Sequence, residues 1–325
     1  MSSRLVPNTE RVLRRYRANS SHLALAFGCA ALAGVTLTTP AAGANDFWTG
    51  TTSPDWFAGA NWNLGAPPTA GDNTYIDTTA SNATLISGAT ASSNSVTVGL
   101  NNIGMLTIAN SGILNSGQGL VGRQAGSTGT ATVTGAGSIW NAQGVAVGFD
   151  GTGTLSLLNG GAVMSAAGYS VALGNSLGSS GVVTVDGTGS TLSGASFVVG
   201  DAGNGTLTVS NGGTVLTTQF GSIIGKSAGS VGNATITGAG SSWAHTGTSG
   251  FWVGQDGTGT LTIANGGKVS VATDAVLGYQ ADGVGTVTVT GAGSVWNAAS
   301  ITVGRLGAGT LNILNGAAVT STPRR

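Results

Sequence analysis

Few side chains in this 325-residue sequence could carry chemistry, and their spacing decides which chemistry that could be. Beyond residue 44 the acids are ten aspartates: Asp46, Asp55, Asp72, Asp77, Asp150, Asp186, Asp201, Asp256, Asp274 and Asp282. His245 is the one histidine in that stretch. Glycoside hydrolysis needs two carboxyl groups about 5–10 Å apart. Asp256 and Asp282 are 26 residues apart, so a fold of that period would stack them. Each opens an Asp-Gly-x-Gly stretch, as Asp150 does, which reads instead as a turn whose carboxylate bonds its own backbone. A calcium site would want more oxygen ligands, and the glycine-rich nonapeptide that binds calcium is absent. His245 has no Cys or Glu near it, which argues against a zinc site or a triad and reads as a surface loop position. The remaining candidates are Trp140, Trp243 and Trp296, which recur at long intervals with Leu192 in the vacant slot. As a ladder they could stack on sugar rings. A leucine cannot replace a stacking platform, so packing against a core is the better reading. No metal site, cofactor or catalytic residue emerges.

The elements that would position these groups follow from the composition. Glycine accounts for 58 residues, and only 7% of the chain is charged against a norm of about 25%. There is no strict collagen triplet. Charge is too low and apolar content too high for a polyelectrolyte disordered chain, and balanced charge offers no basic face to nucleic acid. Residues 1–44 differ from the rest. Arg4, Arg11, Arg14, Arg15 and Arg17 precede an apolar stretch from Leu23 to Leu37, then Ala42-Gly43-Ala44. That order is a secretory signal peptide with cleavage expected after Ala44, and its apolar stretch is shorter than the ~20 residues of a spanning helix. Its removal would take the only cysteine, Cys29, and leave six basic and ten acidic residues. No later segment is apolar for long enough to span a membrane as a helix.

Repeats organise the body. A Val, Leu or Ile followed by glycine recurs at Gly99, Gly122, Gly148, Gly174, Gly200, Gly225, Gly254, Gly278 and Gly304, at intervals of 23 to 29 residues. Units of two kinds alternate. One carries Asn-Gly-Gly or a relative, at Asn159, Asn211, Asn265 and Asn315. The other carries Thr-Gly-Ala-Gly-Ser-x-Trp, ending at Trp140, Trp243 and Trp296. The full period is therefore about 52 residues. Short stretches such as Thr154-Leu155-Ser156-Leu157 alternate outward and inward residues, and Gly and Asn-Gly mark tight corners. A unit this small buries nothing alone but forms a continuous core when stacked. The expectation is an all-β fold: a right-handed parallel β-helix of about nine 25-residue coils, with equivalent strands about 4.8 Å apart. A β-propeller is the competing reading, because its blades run ~40–50 residues. Few charges suit such stacking, since like charges on equivalent positions would repel. Residues 45–95, with Trp48, Trp56, Phe57 and Trp62, read as an N-terminal cap and first coil, with a sugar-binding face as the alternative. Residues 96–325 read as the repeat array. It stops after Val319 without a closing turn, which reads as truncation.

The motifs Thr-Gly-Ala-Gly-Ser-x-Trp, Val-Gly-x-x-Gly-x-Gly-Thr-Leu-x-Ile and Asn-Gly-Gly-x-Val, in this order over about residues 96–320, resemble a known bacterial repeat. It is shared by passenger regions of type V autotransporters and by PEP-CTERM surface proteins. The resemblance implies Sec export from a Gram-negative cell and display at the outer membrane or release outside. It also implies a β-helical stalk used in adhesion, aggregation or matrix building. The partner would be a host or matrix surface, polysaccharide among the candidates. The autotransporter's C-terminal β-barrel and the PEP-CTERM sorting tail have no counterpart here. A polysaccharide lyase or hydrolase on a β-helix is the alternative, and the sparse acids argue against it.

Overall fold

The computed structural model describes residues 43–78 and 82–322. The basic leader and apolar stretch of the expected signal peptide lie outside the described residues. No helix among the described residues is long and apolar enough to cross a membrane.

Thr152–Leu158 shows how the sequence builds one strand. Its residues alternate in burial, with Leu155 and Leu157 pointing inward and Thr154 and Ser156 outward. Burying each leucine contributes about 1.5–3 kcal/mol. The strand pairs in parallel with Thr128–Thr134 on one side and Ser180–Asp186 on the other, so Leu155 faces both Ala131 and Val183. Ten such strands stack in register to form one sheet.

A second, 16-stranded sheet closes the other sides of each turn. In the early turns it is entered by single bent strands, Thr90–Val98, Ile113–Val121 and Ile139–Val147. In the middle turns the same stretch divides in two, as in Ala162–Ser165 with Ser170–Leu173 and Ser242–His245 with Phe251–Val253. It rejoins in Lys268–Leu277 and Val295–Val303. Every pairing between these strands is parallel and links one turn to the next, which is a solenoid and not the antiparallel blades of a propeller. The stack has about eleven turns rather than nine. The difference lies in residues 45–95, where Asn45–Phe47, Asn73–Ile76 and Thr84–Ser87 already join the ladders.

Two features of the corners make the repeat rigid. Gly148 has φ 68°, and a Cβ there would lie 2.1 Å from the carbonyl oxygen of Ser180, one turn on. Gly153, with ordinary φ, would set a Cβ 2.2 Å from the Gly148 nitrogen and 2.4 Å from the Val121 oxygen. The second feature gives the 52-residue period a physical basis. Asn159 (φ 52°) and Gly160 (φ 88°) turn one corner, and the Gly160 N–H donates to Ser190 Oγ in the following turn at 3.0 Å. Ser190 donates in turn to the Asp186 carbonyl at 2.6 Å. The pairs Gly212–Ser241 and Gly266–Ser294 repeat the first bond at 3.0 Å. One kind of turn presents the N–H, and the other supplies the buried serine.

At the N-terminal end, Trp48, Trp62 and Trp56 pack edge to face, with centroids 5.0 and 4.8 Å apart. All three are buried, so their rings offer no open face to a sugar. Asn61, also buried, accepts from Thr52 and the Ser53 backbone and donates to Ser53 Oγ and the Asp55 carbonyl.

Candidate functional site

Alternation in the strands Ile139–Val147, Ser242–His245 and Val295–Val303 sends Trp140, Trp243 and Trp296 inward, and all three are fully enclosed. No sugar reaches them. The indoles of Trp140 and Trp243 reach into the preceding turn. Trp140 lies over Gly119, where a Cβ would be 2.5 Å from the ring, and its Nε1 donates to Ser116 Oγ at 2.9 Å. Trp243 Nε1 donates to Thr217 Oγ1 at 3.1 Å. Trp296 Nε1 finds no partner, because the equivalent position of the turn before it holds Val271.

His245 corrects the sequence reading. It is not on a surface loop but 1% exposed inside the solenoid. Strand Ser242–His245 continues two residues past Trp243, so alternation places both side chains on the inner face. The inserted residues come afterwards, at 246–250. His245 ends a directed chain of hydrogen bonds. Its Nε2 lies 2.8 Å from the Ser249 carbonyl, which can only accept, so Nε2 carries the proton. Nδ1 therefore accepts from Ser222 Oγ at 3.0 Å, Ser222 accepts from Thr217 Oγ1 at 2.9 Å, and Thr217 accepts from Trp243. Burial pushes the imidazole below its ordinary pKa, and the bond to Ser249 opposes that only in part.

The aspartates also depart from expectation. No hydrogen bond from Asp150, Asp256 or Asp282 to its own turn is present among the described residues. The acids that hold backbone are others. Asp77 Oδ1 accepts from the N–H groups of Leu100, Asn101 and Asn102 at 2.7–2.8 Å, one turn on. Asp186 Oδ1 binds side chains instead, accepting from Ser210 Oγ and Asn211 Nδ2 of the next turn at 2.6 and 2.7 Å. Asp201 pairs with Lys226 at 2.8 Å. Among the described residues, Asp46 and Asp72 are carboxyl groups whose pKa values shift, and they shift in opposite directions. Burial pushes the Asp46 carboxyl up, while hydrogen bonds from the Thr69 hydroxyl and backbone hold Asp72 down. Asp46 is sealed inside the N-terminal end, however, out of reach of a substrate. Among the described residues, no three His, Cys, Asp or Glu side chains group as metal ligands.

One cluster was missed in the sequence. Trp252 points outward from strand Phe251–Val253 and packs against Tyr279, and Arg305 lies over the tyrosine ring. The signal was available: Ile223 and Val276 flank Trp252 in register, so an aromatic residue breaks an aliphatic column.

Parallel strands, glycine corners and inward-facing side chains together define a β-solenoid, and Trp252, Tyr279 and Arg305 line an aromatic and polar hollow on its outer surface. No protein-family model matches the chain, and no curated protein matches it. Among solved structures, the crystal structure of a TibC-catalysed hyper-glycosylated TibA fragment is similar. It is 19% identical and aligns over 85% of this chain and 99% of that one, with a TM-score of 0.32.

Proposed function

We propose that the protein is an exported, non-catalytic β-solenoid that acts as a structural or adhesive element at the surface of a Gram-negative cell or outside it. The observation that carries this reading is how the polar groups are used. Many outward positions hold neutral Thr, Ser and Asn, which stack turn on turn, and acids such as Asp77 and Asp186 bind neighbouring turns together. Such a surface repeats one chemistry along its axis, which suits many weak contacts better than a single reaction. A repeat array also extends its reach by adding turns without redesigning a core.

The test uses the full chain with its leader, expressed in a Gram-negative host. The expected result is a mature protein beginning at Asn45, found outside the inner membrane, and faster settling of the cells that carry it. Retention of an unprocessed chain in the cytoplasm would overturn the export claim. Export without any effect on settling or surface attachment would overturn the adhesive one.

A further inference from the structure

Seven tryptophans occur in the chain, and six of them are at most 4% exposed. The seventh, Trp252, stands half-buried on the outer face while Phe251 and Val253 on either side fill the core. Its ring therefore does no work in the interior. Equivalent positions in the turns before and after are Val198, Ile223, Val276 and Thr302, so the fold does not require an aromatic residue there.

Neighbouring positions are fitted to this ring. Gly250 precedes it, and a Cβ at that glycine would lie 2.8 Å from the indole Nε1, so only glycine lets the ring lie across the bend. Tyr279 packs against the indole at 5.1 Å with a 50° tilt. The Arg305 guanidinium sits over the tyrosine ring, 4.4 Å from its centroid. Across the hollow, Ser300 Oγ donates to Asp274 Oδ1 at 2.7 Å. Val276 and Thr302 also line the hollow, which is open to solvent and has a volume of about 440 Å³. That is within the ~300–1,000 Å³ usual for small-molecule sites.

We propose that this hollow binds a neutral hexose-based glycan. A half-buried indole beside a carboxylate, a guanidinium and hydroxyls matches the two sides of a pyranose, its apolar C–H face and its ring of hydroxyl groups. Asp274 and Arg305 offset each other in charge, which favours a neutral sugar over a uronate or a phosphorylated one. Trp252 and Arg305 stand two turns apart, about 10 Å along the axis, so the site covers a short stretch of a chain rather than one ring. The proposal deepens the adhesive reading, on which it rests for the setting in which the glycan is met.

The experiment uses the purified chain and neutral oligosaccharides of glucose, mannose and galactose, with polygalacturonate as the anionic probe. Binding is read by calorimetry and by tryptophan fluorescence, where Trp252 is the ring a ligand can reach. W252I places the residue of the preceding turn at this position and so preserves the strand. The expected result is binding of at least one neutral probe, at least tenfold weaker in W252I at unchanged circular dichroism, with a smaller loss in Arg305→Gln. No binding of any neutral probe, equal binding by W252I, or a preference for polygalacturonate would overturn the proposal. Cells displaying W252I keep the two claims apart. If they settle as before while the purified wild type binds no glycan, this inference fails and the adhesive reading stands.

Discussion

Glycine is used here for two separable reasons, and four substitutions to alanine separate them. Gly178 has φ 82° with nothing within 4 Å of where a Cβ would sit, so alanine there meets only the left-handed backbone cost of about 1–2 kcal/mol. Gly153 has ordinary φ, but its Cβ would lie 2.2 and 2.4 Å from two backbone atoms, which cannot rotate away as a side chain can. Overpacking a flexible core costs about 1–3 kcal/mol, so a backbone clash on both sides should reach the top of that range or pass it. Gly148 combines φ 68° with a 2.1 Å approach to Ser180, and the two costs should add to about 4 kcal/mol or more. Gly71 is the control, exposed and with its nearest neighbour at 3.9 Å, and should change stability by less than about 0.5 kcal/mol. Urea unfolding followed by circular dichroism gives the order of the four. Because repeat arrays open turn by turn, hydrogen exchange across Thr152–Leu158 supplies the local reading. The expected order of loss is Gly71, Gly178, Gly153, Gly148. If Gly153→Ala unfolds with Gly71→Ala, the turns are not held together by close backbone approach and the argument is wrong. If Gly178→Ala matches Gly148→Ala, backbone conformation alone explains the glycines.

Two further predictions concern the interior. His245 titrates below the 6.5 of free imidazole, so the unfolded chain takes up a proton at a pH where the folded chain does not. Its contribution to stability is complete above about pH 6.5 and falls as the pH drops from there toward the folded pKa. His245→Val, copying Val271 of the next turn, should flatten the urea midpoint between pH 7 and pH 5 relative to wild type; equal slopes would sink the idea. Val271→Thr should give the orphaned Trp296 N–H the partner that Thr217 gives Trp243, stabilising the protein by about 0.5–1.5 kcal/mol, and a loss in thermal midpoint would contradict this.

The period was legible because it is written twice, in the glycine corners and in the strand alternation. The role of the tryptophan column was legible too, through Leu192. What could not be read was the reason some turns take tryptophan. The indole enters the turn before it, and the turn before Trp140 offers Gly119 and Ser116. That pairing joins residues about one repeat apart and appears only once the register is known. His245 was misplaced for the opposite reason. A lone histidine without ligating partners reads as a loop residue, although counting by two from Trp243 along strand Ser242–His245 sets it inside. The serines of the Thr-Gly-Ala-Gly-Ser corners are legible as part of a motif, but their use as acceptors for the Asn-Gly corner of the turn before emerges only when the turns are stacked.

The irregular turn then explains why two unusual features occur together. Regular turns copy their neighbours, so each position is constrained from both sides and tolerates little novelty. The 29-residue interval between Gly225 and Gly254 relaxes that constraint. Its extra residues are tied back to the turn before them, Thr246 N–H to the Thr217 carbonyl at 2.9 Å and Thr248 N–H to the Gln219 carbonyl at 2.8 Å. This brings the Ser249 carbonyl to 2.8 Å from His245 Nε2, which completes the buried polar chain, and Thr273 of the next turn donates to the same oxygen at 2.9 Å. One residue on, Gly250 leaves room for Trp252 to turn outward over the hollow. The same short insertion thus braces an interior imidazole and aims an exterior indole. In a self-copying fold, a departure of this kind must be compensated on the inside before it can be displayed on the outside.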